Sequence, residues 1–108
     1  MVADKTIPAV APIRAHSSSL REEFNDTADR LVIEVVAAAD DGYTAVPECQ
    51  RLIAWLSAEF LPYITPRFPQ PPADLVELRE VLDEMHGSNG AYAAQLSLQA
   101  RSLVFRLM

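Results

Sequence analysis

His16 and His86 are the only imidazoles in the chain, and each falls on the apolar stripe of an amphipathic helical pattern. A histidine so placed reads first as a hydrogen-bonded core residue. Two of them on different helices can also converge on an interior metal ion through their neutral ring nitrogens. Asp83 and His86 add the i,i+3 spacing that sets a carboxylate and an imidazole on one side of a helix, half of the paired Glu-x-x-His arrangement of bundle-core di-iron sites. The other half is missing, because Ile13 stands three residues before His16. Glu59, flanking the inner face of another helical pattern, is the best further carboxylate, although its position equally suits a boundary glutamate.

Other chemistries find less support. Ser17, Ser18 and Ser19 follow His16, but adjacent helical residues point in different directions, and no acid is spaced to orient the imidazole. Cys49 belongs to a predicted first helical turn, where the helix dipole can lower a thiol pKa; a small packing residue is the competing and simpler role. A single cysteine forms no internal disulfide and builds no cysteine-based zinc site. There is no G-x-S-x-G, glycine-rich phosphate loop, H-E-x-x-H or dinucleotide fingerprint. No feature argues for an enzyme or requires a cofactor.

The elements that must position these residues are helices. Half of the 108 residues are hydrophobic and only three are glycine, a balance that favours helix over a turn-rich β architecture. The organising stretch is Arg51 to Pro72, where Leu52, Leu56, Phe60 and Tyr63, widened by Ile53, Trp55 and Ile64, make one broad helical face. Pro66, Pro69, Pro71 and Pro72 stop it. Pro62, inside its last turns, predicts a kink near Ala58 to Pro62 or an early end.

Before it, residues 1–11 read as a flexible tail, and Pro12 suits a first helical turn. Ile13, His16, Leu20, Phe24, Thr27 or Ala28, Leu31 and Val35 then trace a long amphipathic helix, with Arg21, Glu22, Asp26, Asp29 and Arg30 on a solvated opposite face. Asp40-Asp41-Gly42 should end it. Pro47 and Glu48 open the organising helix.

Beyond the proline-rich turn, Asp74 is a plausible N-cap for a helix whose inner stripe is Leu75, Leu78, Leu82 and Met85 or His86. Gly87-Ser88-Asn89-Gly90 should break the chain, since two helical glycines cost about 2 kcal/mol relative to alanine. A last stripe runs through Tyr92, Leu96, Ala100, Leu103 and Leu107, with Val104, Phe105 and Met108 beside it. The expectation is an all-α protein with one domain over residues 12–108, an up-and-down antiparallel bundle of three to four helices with a short fourth helix.

Nine basic against fifteen acidic residues give a net charge of -6. The only lysine is Lys5, and Arg101 and Arg106 are the only bases after Arg79. Binding to nucleic acid or to an anionic membrane needs clustered positive charge, so neither is an expected partner. The N-terminus lacks a basic start followed by an apolar block, and no apolar run approaches the roughly 20 residues of a membrane span. With one cysteine, a reducing cytoplasm fits best. Val104, Phe105 and Met108, left without a covering turn, predict self-association as a homodimer, or docking of another protein, through the C-terminal helix.

IRAHSSSLREEF, LIAWLSAEFLPYI, LREVLDEMH and ARSLVFRLM together make the chain resemble the hemerythrin-like (HHE cation-binding) family, four-helix bundles that hold a non-haem di-iron centre and bind or sense oxygen. By that resemblance His16 and His86 stand where members carry metal histidines on the first and third helices. The family has a histidine directly after the Leu61-Pro62 position and a glutamate four residues later; Tyr63 and Arg67 stand there instead. The fourth-helix histidine falls near Met108. The resemblance therefore implies a degenerate bundle acting as a small non-catalytic interaction or structural domain, with no cofactor. The alternative is an iron or other cation-binding, oxygen-sensing domain with a reduced or subunit-shared site on His16 and His86.

Overall fold

A glycine in the left-handed region closes the first helix where the Asp-Asp-Gly run predicts. In the computed structural model, which describes residues 11–108 and the side chains from Leu20 onward, α1 spans Ala11–Asp40. Gly42 has φ 86°. Its N–H donates to the Ala39 carbonyl, and that of Tyr43 reaches back to Ala38, so the last carbonyls of the helix are satisfied by a Schellman motif. Of the expected tail, residues 1–10 lie outside the described residues and Ala11 already belongs to α1.

α2 (Val46–Trp55) opens with Pro47 in its first turn and Glu48 beside it, as the order of proline then acid predicts. Pro62 neither ends this helix nor breaks it. The chain widens into one π-helical turn over Leu56–Phe60 and resumes as α3 (Leu61–Ile64). The Leu61 N–H donates to the Leu56 carbonyl, five residues back. A widened turn gives the proline ring room against the preceding carbonyls, and the donor that proline lacks is not missed there. A 3-10 turn, Thr65–Arg67, ends the rod.

α4 (Ala73–Met85) begins after Pro72, whose carbonyl accepts from the N–H groups of Leu75 and Val76. Asp74 is thus inside the helix and not its cap; its carboxylate faces Arg106 at 3.4 Å. The glycine break falls where expected. α5 (Gly90–Leu107) starts on Gly90, with φ 59°, and the Gly90 N–H bonds the Thr44 carbonyl of the α1–α2 connection.

All described elements are helical, and four rods (α1, the α2–α3 rod, α4 and α5) pack as an up-and-down bundle. Antiparallel neighbours follow from the pairs that bridge them: Glu34 with Arg51, Asp29 with Arg101, and Glu77 with Gln99. The final helix is not short: α5 has 18 residues against 13 in α4, because no proline or glycine interrupts it after Gly90. The core is aliphatic around one aromatic, with Val35, Leu52, Leu56, Phe60, Leu78 and Leu103 almost wholly buried. On α5, Ala93 takes the inner position expected of Tyr92, which is half exposed and donates its hydroxyl to Glu84. Val104, expected beside the stripe, is also buried, so of the three uncovered side chains only Phe105 stays exposed, with Met108 half-buried. No helix among the described residues is long and apolar enough to cross a membrane.

Candidate functional site

The two histidines belong to opposite ends of the bundle. His16 is in the first turns of α1, and its side chain, like those of Ser17, Ser18 and Ser19, lies outside the described residues. From there α1 rises about 36 Å to Asp40, the end at which Gly90 meets Thr44. His86 sits at that far end as the C-cap of α4, and it is exposed. The expected inward place of His86 is therefore corrected, and that of the His16 side chain lies outside the described residues. Met85 occupies the inner position and is 1% exposed; one residue further round the helix, His86 faces outward. Asp83 and Glu59 are exposed as well. Among the described residues no three His, Cys, Asp or Glu side chains gather to hold a metal ion.

At the same end as His86, Cys49 is buried as a packing residue. Its thiol donates to the Met85 carbonyl at 3.7 Å and lies 4.0 Å from the Ser88 hydroxyl, which itself donates to Met85 at 3.0 Å. Burial pushes the Cys49 thiol pKa up, against a smaller downward pull from the Ser88 hydroxyl. Ser97 is fully buried, and its Oγ has no hydrogen-bond partner among the described residues.

Among the described residues the opposite end is open. A cavity of about 210 Å³ is lined by Arg21, Tyr63, Ile64, Arg67, Leu107 and Met108. The Arg67 guanidinium lies over the Tyr63 ring, 4.3 Å from its centroid, and donates to the Tyr63 hydroxyl at 2.8 Å. Phe24 braces the ring from α1 at 4.7 Å between centroids, and itself packs on Trp55 and Phe60. Tyr63, Arg67 and Met108, read in the sequence only as departures from a ligand set, thus surround one space. Arg21 is exposed, as its place on the solvated face predicts, and also borders this cavity. The available signal for the latter was its place three residues before Phe24, at the border of the apolar stripe.

A third feature runs along the outside of α1 and α5. A groove of about 490 Å³ is lined chiefly by Val32, Ile33, Val36, Ala37 and Leu98, with the Asp29–Arg101 ion pair at one end. Ile33 is 65% exposed and Leu98 49%; two turns along α5, Phe105 is 63% exposed. No family model, curated protein or solved structure matches the chain.

Proposed function

We propose that the chain is a non-catalytic helical interaction domain, a hemerythrin-like bundle lacking most of the family's metal ligands, that pairs with a second copy through the outer face of α1 and α5. The observation that carries the reading is the exposure of Ile33, Leu98 and Phe105 on that face. Phe105 is a protruding aromatic, and the groove beside Ile33 and Leu98 is an apolar recess. Leu98 and Phe105 are separated by about 10 Å along one helix. A twofold axis passing between them, near Asp29 and Arg101, sets each Phe105 into the partner's groove, the isologous arrangement that closes a dimer. An exposed apolar strip of this kind is the ordinary mark of an interface.

The end of the bundle with Tyr63 and Arg67 supports the absence of a metal role. A guanidinium held at a position where the resemblance calls for a carboxylate repels a cation. Substituting Phe105→Glu tests the association: it removes an aromatic worth about 3 kcal/mol and puts a charge in an apolar recess, so dimer affinity should fall by at least about a hundredfold with helix content unchanged. A variant that associates as wild type does would remove the proposed face.

A further inference from the structure

We infer that the cavity between Arg21, Tyr63 and Arg67 binds a small carboxylate carried on a short apolar chain. The polar side of the space is cationic. Arg21 comes from α1 and Arg67 from the end of the α2–α3 rod, so two arginines from separate elements border one opening. Guanidinium matches carboxylate geometry with paired N–H donors. Arg51, Arg101 and Arg106 are each paired with a carboxylate, whereas among the described residues neither Arg21 nor Arg67 is.

Arg67 is also set in place before any ligand arrives. Its stacking on Tyr63 and its hydrogen bond to the Tyr63 hydroxyl restrain a side chain that would otherwise be ordered at the ligand's expense. Since that hydroxyl accepts from Arg67, its own proton remains to donate to an anion. Phe24, itself packed edge-on against the buried Phe60, braces the ring. The side chains of Ile64, Leu107 and Met108, which complete the lining, are apolar and have nothing to offer a fully hydrated polyanion. One charged half and one apolar half define a carboxylate with a hydrocarbon tail. The inference is independent of dimer formation, because none of these residues belongs to the groove between α1 and α5.

The test is an NMR titration of the full chain with hexanoate, hexanol and inorganic phosphate. Hexanoate should give saturable shifts at the Tyr63 and Arg67 side chains and at the methyl groups of Leu107 and Met108. Hexanol and phosphate should each bind at least about tenfold more weakly. Arg21→Gln and Arg67→Gln should each weaken hexanoate by roughly tenfold, the loss expected for one charge-assisted hydrogen bond. Both side chains are exposed, so the variants should fold, and circular dichroism checks that they do. Tyr63→Phe, which keeps the ring and removes the hydroxyl, should weaken hexanoate less than either arginine change. Absence of saturable shifts with hexanoate, or unchanged affinity in both arginine variants, overturns the site. Phosphate or hexanol binding as tightly as hexanoate overturns the assigned ligand class.

Discussion

The two ends of this bundle carry residues of comparable chemical promise and make opposite use of them. At the end where α4 meets α5, a thiol and two hydroxyls lie together, yet Cys49 is 1% exposed and Ser97 0%. Cys49 and Ser88 turn their polar capacity on the protein itself. Met85 is the last residue of α4, and its carbonyl accepts from the Ser88 N–H, the Ser88 hydroxyl and the Cys49 thiol. That carbonyl is one of the orphans every helix leaves at its C-terminus, so the cluster serves as an end cap. At the other end Arg67 and Tyr63 are bound to each other but still open to a cavity. Residue type alone does not separate a structural cluster from a binding one. Access and unspent hydrogen-bonding capacity do.

The contrast can be broken at several points, beginning with the aromatic support of the open end. Phe60 is fully buried in the π-helical turn, against Phe24 and Trp55. Phe60→Ala should cost about 3–5 kcal/mol in urea unfolding, the range for a large aromatic removed from a packed core. A loss under about 1 kcal/mol would mean that the open end is not braced by this cluster.

Two serines sharpen the account of the closed end because they should respond in opposite directions. Ser88→Ala removes a hydrogen bond to the Met85 carbonyl and should destabilise by about 1 kcal/mol. Ser97→Ala removes a buried hydroxyl that has no hydrogen-bond partner among the described residues and should stabilise by up to about 1 kcal/mol. Equal losses from both would show that Ser97 belongs to the cap.

The smallest expected effect concerns the thiol. Because burial holds the folded Cys49 pKa above its ordinary value, the unfolded chain gives up this proton first as pH rises. The contribution is complete below the unfolded thiol pKa and is lost as pH climbs toward the folded value. Unfolding free energies across the alkaline range should therefore fall more steeply for wild type than for Cys49→Ala. Identical slopes would contradict a buried neutral thiol.

Much of the fold was legible in the residues because helix punctuation is local. Gly42, Pro47, the proline run after Arg67 and the Gly87–Gly90 break each act within a turn of the chain. The π-helical turn was not legible, since a proline's effect depends on whether the neighbouring rods hold the helix on course. His86 was misplaced for a related reason. Met85 and His86 both continue the stripe of α4 to within one residue, and only the packing of Met85 against the core decides between them. The open cavity escaped notice because it joins Arg21, Tyr63 and Met108 from three separate rods, a proximity that no spacing within one helix encodes.

The central claim, association through α1 and α5, is tested most directly by sedimentation equilibrium of the wild-type chain from low to high micromolar concentration. The account predicts a reversible monomer–dimer equilibrium, with the dimer predominant at the top of the range. A single species of monomer mass, about 11.9 kDa, throughout that range would contradict it.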